Sequence, residues 1–164
     1  MPDAATRQIR LRNITPEDYA LVIRVVDDWW GGRAMHAMLP KLFFVHFRDT
    51  SFVAEANGDL VGFLVGFLSP ALTDEAYIHF VGVHPDYRKL EVGRALYEQF
   101  FDLVRNAGRH RVRCVTSPVN EVSIAFHRSM GFRVNERTDE RATVSIYPDY
   151  DGPGEDRVLL TKEL

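Results

Sequence analysis

The chain has 164 residues, 46% of them apolar and 26% charged, which supplies one hydrophobic core and argues against disorder. With 20 Lys and Arg against 23 Asp and Glu, its net charge of −3 speaks against nucleic-acid partners, which require a basic face. A single cysteine, Cys114, excludes an intrachain disulfide and a cysteine-based zinc site.

Met1-Pro2-Asp3-Ala4-Ala5-Thr6-Arg7 lacks the apolar stretch of a signal peptide. The longest apolar run, Leu60 to Leu68, carries two glycines. It falls far short of the ~20 residues of a bilayer span. The chain therefore reads as cytoplasmic, with no membrane partner. No linker divides it, so residues 1–164 read as one domain.

Residues 8–13 alternate Ile9 and Leu11 with Arg10 and Arg12, the period of a short strand. Thr15-Pro16-Glu17-Asp18 opens a helix, with Thr15 as N-cap, Pro16 in the first position and acidic residues at the positive end of the dipole. Its apolar face uses Tyr19, Val22, Ile23 and Val26, and Asp27-Asp28-Trp29-Trp30-Gly31-Gly32 ends it. A second helical stretch covers about Ala34 to Phe47, with a break at Pro40. Ser51–Ala56 and Leu60–Leu68 are strands joined by Asn57-Gly58, a pair suited to the positive φ angles of a tight hairpin.

Glu75–Val83 is a further strand, and alternation places Glu75, Tyr77, His79, Val81 and Val83 on one face. Gly93–Ala107 is a helix with Leu96, Phe100, Leu103 and Val104 at helical spacing and Gly108 as its C-cap. Arg111–Thr116 is a strand that holds Cys114 as a structural thiol. Residues 120–130 form a helix closed by Gly131. Arg133–Glu136 and Arg157–Lys162 are late strands, and Tyr147–Glu155, rich in Asp, Gly and Pro, is a loop. Three consecutive strands imply an antiparallel meander, and residues 75–116 imply a right-handed parallel crossover. The fold class is α/β (α+β): a mixed, mostly antiparallel sheet of about seven strands flanked by about four helices.

Chemistry concentrates in Val81-Gly82-Val83-His84-Pro85-Asp86-Tyr87-Arg88-Lys89-Leu90-Glu91-Val92-Gly93-Arg94. A strand runs through a turn and a polar loop into a helix start, where unpaired N–H groups and the dipole favour an anion. Arg88, Lys89 and Arg94 add positive charge, and Gly93 permits close approach of a ligand to the backbone. The pattern suits a phosphate or diphosphate. It lacks both the Gly-Lys-Ser/Thr of a Walker loop and the three glycines of a dinucleotide fingerprint. A solvated basic loop before a helix is the plainer alternative.

This stretch resembles the acetyl-CoA-binding motif of the GNAT superfamily of N-acetyltransferases, Val-x-Pro-x-x-Arg/Gln-x-x-Gly-x-Gly/Ala. Val83, Pro85, Arg88 and Gly93 match, while Glu91 stands where the motif has its first glycine. The Glu91 side chain is expected to turn to solvent. Asn120-Glu121-Val122-Ser123-Ile124-Ala125-Phe126-His127-Arg128-Ser129-Met130-Gly131-Phe132 is similar to a second family segment, through Asn120, Phe126, Gly131 and Phe132. Helical spacing puts Asn120, Ser123 and His127 on one face and Val122, Phe126 and Met130 on the neighbouring apolar face.

The resemblance implies an N-acetyltransferase that passes acetyl from acetyl-CoA to a primary amine of a small molecule or peptide. Transfer is direct, in a ternary complex, with no metal and no acyl-enzyme. Cofactor contacts fall on Val81, Gly82 and Val83, on the backbone of Arg88, Lys89, Leu90, Glu91, Val92, Gly93 and Arg94, and on Asn120, Ser123, Phe126 and His127. The strands 75–83 and 111–116 would splay to admit pantetheine. His127 stands where the family has a tyrosine that protonates the leaving thiolate. An imidazole of pKa ~6.5 can protonate a thiolate of pKa ~8.5.

The attacking amine must be neutral. That costs an alkyl ammonium of pKa ~10.4 about 4.6 kcal/mol at pH ~7, and an α-amino group of pKa ~7.8 about 1 kcal/mol. His79 and Glu75 are the candidate bases, although half-buried strand residues would look the same. Asp27, Asp28, Trp29 and Trp30 are placed on the acceptor side with Tyr77, where carboxylates and indoles suit a cationic amine. A core-anchoring tryptophan pair is the alternative. The Tyr147–Asp156 segment is equally compatible with an acceptor cover, a dimer contact or a plain loop. A homodimer is compatible with the family, and a non-catalytic acyl-CoA-binding or interaction module of the same fold is the competing function.

Overall fold

The structure is a computed structural model and describes residues 8–138 and 143–164. Its elements are β1 (Ile9–Asn13), α1 (Asp18–Trp29), α2 (Leu42–His46), β2 (Phe52–Ala56), β3 (Asp59–Leu68), β4 (Glu75–Val83), α3 (Val92–Asn106), β5 (Arg111–Thr116), α4 (Glu121–Ser129), β6 (Arg133–Val134), β7 (Arg137–Thr138), β8 (Thr143–Val144) and β9 (Val158–Glu163). Single 3-10 turns occupy His36–Met38, Arg48–Thr50 and Pro85–Leu90. A seven-stranded sheet runs in the order β1-β2-β3-β4-β5-β9-β6. Among the described residues only its β4–β5 pair is parallel. β7 and β8 pair antiparallel as a separate two-stranded sheet, an element absent from the expectation above. No helix among the described residues is long and apolar enough to cross a membrane.

Helices cover both faces of the sheet. On one face Leu96, Phe100, Phe101 and Val104 of α3, with Met130 and Phe132 after α4, pack on Ala54, Leu64, Ala76, Ile78 and Cys114. On the other, Val22, Val26 and Trp29 of α1 and Phe44 of α2 pack on Val53, Phe63, Val65 and Phe80. Asn57 and Gly58 take φ of 53° and 85°, as the β2–β3 hairpin requires.

Three local expectations change. Thr15 does not cap α1 by accepting a helix N–H. Instead Asp18 accepts the Thr15 N–H at 2.7 Å and its hydroxyl at 3.2 Å, the reverse half of a capping box, with Arg12 clamped on the same carboxylate. Residues 34–47 do not form one helix, because Pro40 separates the 3-10 turn from the short α2. Val122 is 82% exposed and does not extend the apolar face of α4.

Two irregularities of β4 shape everything beside it. The β3–β4 register passes from Val65↔Phe80 to Gly66↔Ile78, so β4 carries a bulge at His79. Alternation therefore reverses. Tyr77 and His79 face the α1–α2 side, against Phe67 and Phe43, whereas Val81 and Val83 pack with the α3 side. The common face expected for Glu75, Tyr77, His79, Val81 and Val83 does not exist. In addition, β4 pairs with β5 only from Glu75↔Arg111 to Tyr77↔Arg113. Beyond that point β5 stays on β9 up to Thr116, and the two parallel strands part as a fork.

Candidate active site

The turn after β4 leads straight into α3. His84 Nδ1 accepts the Asp86 N–H at 3.1 Å, and Pro85 opens the 3-10 turn. Glu91 then takes a left-handed backbone, φ 58° and ψ 22°, and α3 begins at Val92. Glu91 thus adopts the conformation that glycine adopts freely, at a cost of ~1 kcal/mol. Its side chain is 77% exposed and lies 3.9 Å from Arg94, so the carboxylate is turned to solvent, as expected. The nearest side-chain atoms to a Cβ built on Gly93 would be Phe126 Cζ at 3.5 Å and Val83 Cγ2 at 3.7 Å. The protein itself does not demand glycine there, whereas a ligand against the backbone would. The first-turn N–H groups of Val92, Gly93 and Arg94 form the positive end of a 15-residue helix.

The Arg88 guanidinium is not turned to this helix start. Its Nη2 donates to the carbonyl of Trp29 and its Nε to the carbonyl of Val83. The backbone of Lys89 and Leu90 continues the 3-10 turn, and their side chains lie outside the described residues. Gly82 is fixed by packing, since a Cβ would meet Phe63 Cε1 at 2.5 Å. Asn120 caps α4, accepting the Ser123 N–H at 3.1 Å through Oδ1. Phe126 is half-buried against Tyr97, ring centroids 5.2 Å apart.

His127 does not suit the acid role. It is 7% exposed and packs among Tyr97, Phe126 and Phe132. Nδ1 lies 2.7 Å from the Ser123 carbonyl, so it carries the proton. Nε2 therefore accepts from the Tyr97 hydroxyl, at 2.8 Å. Burial lowers the imidazole pKa, outweighing the upward pull of the Ser123 carbonyl. Burial also pushes the Tyr97 phenol well up. With its one proton held on Nδ1 by the Ser123 carbonyl and Nε2 occupied by the Tyr97 hydroxyl, the neutral imidazole presents no proton to a thiolate in the fork. Tyr97 was not among the expected residues, and nothing in its helical position singles it out.

The candidate bases separate. Glu75 sits at the closed end of the fork, where Oε1 accepts from Arg111 at 3.2 Å and Oε2 from Arg113 at 2.8 Å. Burial raises its carboxyl pKa, but the Arg113 and Arg111 hydrogen bonds outweigh it and hold the group below the ordinary value. Glu75 is thus an ion-pair anchor and a poor base. His79 stacks on Phe43, centroids 4.3 Å apart and 5° from parallel. Its Nε2 donates to the Met38 carbonyl at 2.5 Å, so the neutral ring keeps its lone pair on Nδ1.

On the expected acceptor side, Trp29 is a core residue, 6% exposed, between Phe63 and His84. Trp30 is half-buried on Phe80. Asp27 binds the N–H groups of Met35 and His36 at 2.7 and 2.9 Å and the His36 ring at 2.9 Å. Asp27 therefore folds the chain after α1 and is not a free carboxylate. Asp28 lies in the last turn of α1, where its carbonyl accepts the Gly31 N–H. Tyr77 stands at the fork, lining a cavity of about 50 Å3 with Arg113, Cys114, Val115, Tyr150, Leu159 and Leu160. Burial pushes the Tyr77 phenol and the Cys114 thiol far up, so both stay protonated. Tyr150 reaches this cavity from the acidic loop, which places part of the Tyr147–Asp156 segment beside the fork. Among the described residues, no group of three or more His, Cys, Asp or Glu is arranged to hold a metal.

Residues 12–132 match the model of the acetyltransferase (GNAT) family. The [ribosomal protein bS18]-alanine N-acetyltransferase of Escherichia coli is 31% identical over 113 residues, 69% of this chain and 70% of that protein. The L-2,4-diaminobutyric acid acetyltransferase of Nocardia farcinica is 30% identical over 109 residues, 65% of this chain but only 56% of that protein. YncA of Salmonella typhimurium, solved with its cofactor acetyl-CoA, shares the fold at a TM-score of 0.69 and 19% identity, over 95% of this chain and 94% of that one. A bulged fourth strand, a fork beside it and a left-handed turn into the third helix are thus the setting of a family match spanning most of the sequence, and the chain belongs to the GNAT acetyltransferase family.

Proposed function

We propose that this chain is an acetyl-CoA-dependent N-acetyltransferase that moves an acetyl group to a primary amine by direct attack in a ternary complex. The observation that carries this reading is the opening of β4 from β5 beyond Tyr77 and Arg113, next to the helix start exposed by the left-handed Glu91. Acetyl-CoA, when bound, supplies the activated acetyl thioester. The N–H groups of Val92, Gly93 and Arg94 hold its diphosphate, and the free edge of β4 at Val81 and Val83 offers hydrogen bonds to its amides. Phe126 of α4 lies against Gly93 beside Val83, and Asn120 and Ser123 stand on the same helix as candidate contacts to pantetheine.

His79 accepts the proton that the acceptor ammonium must lose. The Met38 carbonyl fixes the tautomer and the Phe43 ring fixes the plane, leaving Nδ1 as the basic atom. Tyr77 and Tyr150 line the cavity at the fork on the acceptor side. With Glu75 withdrawn into ion pairs, a single imidazole favours the amine that is easiest to neutralise. An α-amino group needs about 1 kcal/mol against about 4.6 kcal/mol for an alkyl ammonium, so α-amines of amino acids or peptides are the preferred acceptors.

A CoA-release screen over amino acids, short peptides and polyamines tests this. The expected result is turnover with α-amines ahead of alkyl amines, and a loss of ~100-fold in kcat/KM for His79→Gln, with acetyl-CoA binding retained. Acetyl-CoA binding without release to any amine would make the chain a binding module. Full activity of His79→Gln would assign the base elsewhere.

A further inference from the structure

α1 ends with the wrong charges for its dipole. Asp27 and Asp28 occupy its last turn, which contains no basic residue, although the C-terminus of a helix favours cations. The compensating charge comes from a distant segment. Arg88, 59 residues on, donates Nη2 to the carbonyl of Trp29 at the end of α1, while its Nε donates to the carbonyl of Val83 at the end of β4. One planar guanidinium therefore ties α1 to the strand that borders the fork, a two-point contact that a lysine could not reproduce. His84, from the same turn, supports it by setting its ring edge-on against Trp29 at 5.6 Å.

The connection that follows α1 is held in series with this tie. Asp27 binds Met35 and His36, the Met38 carbonyl holds His79 Nε2, and Phe43 stacks on His79. Arg88 thus anchors one end of a segment whose other end fixes the imidazole on the acceptor side.

We propose that Arg88 is a positioning residue for the acceptor side, and that its guanidinium is not a ligand of the cofactor diphosphate. The inference rests on the acetyltransferase reading above. The diphosphate is left to the backbone N–H groups of α3, and the side chain sets the α1–α2 connection and, through it, His79.

Three proteins test this: wild type, Arg88→Ala and Arg88→Lys. Calorimetry gives acetyl-CoA affinity, and steady-state kinetics give the KM of the best amine from the screen. The chain has only two tryptophans, Trp29 and Trp30, so intrinsic emission reports directly on the tie. The expected result is an acetyl-CoA Kd within ~3-fold of wild type, an amine KM raised ~10-fold or more, and a red-shifted emission, with Arg88→Lys failing to restore either. A ~10-fold weaker acetyl-CoA Kd with an unchanged amine KM would make Arg88 a phosphate ligand and overturn the proposal. Unchanged values of both would overturn it as well. If Arg88→Ala does not fold, hydrogen exchange of residues 30–47 in Arg88→Lys replaces the comparison. Faster exchange with acetyl-CoA affinity retained is expected, and unchanged exchange overturns the proposal. Failure of the wild type to bind acetyl-CoA would instead remove the function on which the proposal rests.

Discussion

At His127, the packing that closes the α3–α4 contact also decides the chemistry of the ring. The family segment makes this position visible in the sequence, but the role expected from it does not follow. The hydroxyl that occupies its Nε2, from Tyr97, lies 30 residues away on another helix, and spacing along one element carries no information about that contact. The lowered pKa has a consequence for stability. An unfolded histidine takes up a proton below pH ~6.5, whereas His127 in the folded chain resists it, so its contribution is complete above ~6.5 and is lost as pH falls toward the folded pKa. Glu75 and Asp18 are held below the ordinary carboxylate values, and their contributions fade only in the more acidic range below pH ~4. Urea midpoints at pH ~7 and ~5 should therefore fall more for wild type than for His127→Gln, which lacks this titration. Equal slopes would mean that the ring is not buried neutral.

Element boundaries were largely legible, because turn and cap chemistry is local. Asn57-Gly58, Gly108 and Gly131 all take positive φ where a turn or helix end was expected. β4 and β5 occupy the expected residues. The bulge at His79 was not legible: polar and apolar residues alternate only as far as His79, and the apolar run Phe80-Val81-Gly82-Val83 that follows does not say which face each residue takes. That single residue moves Val81 and Val83 to the α3 side and leaves His79 facing Phe43. Opposite the bulge, a Cβ on Gly66 would lie 2.7 Å from Phe100 Cε2 and 2.8 Å from the Tyr77 carbonyl. The carbonyl belongs to the backbone beside the fork and cannot move without shifting β4. Gly66→Ala should cost about 1–3 kcal/mol, a fall of ~5 °C in melting temperature. An unchanged melt would show that β3 and β4 are not in this tight register.

Across the whole molecule, the order of the elements implied the meander, the parallel crossover and a sheet flanked by helices. What it could not give is how far β4 and β5 stay paired, since strand lengths say nothing of where two strands diverge. The structure supplies that point, Tyr77 and Arg113, and with it the opening at which the proposed function places a thioester carrier. It also separates the residues expected on the acceptor side. Asp27 and Trp29 build α1 and its connection, while Tyr77 lines the cavity at the fork with Arg113, Val115, Tyr150 and Leu159. The most direct test is a crystal structure of the complex with acetyl-CoA. The diphosphate should lie on the backbone N–H groups of residues 92–94, with pantetheine between β4 and β5 beyond Tyr77 and Arg113 and the acetyl group toward the cavity lined by Tyr150. A carrier bound at any other surface, with the fork closed by protein, would contradict the account.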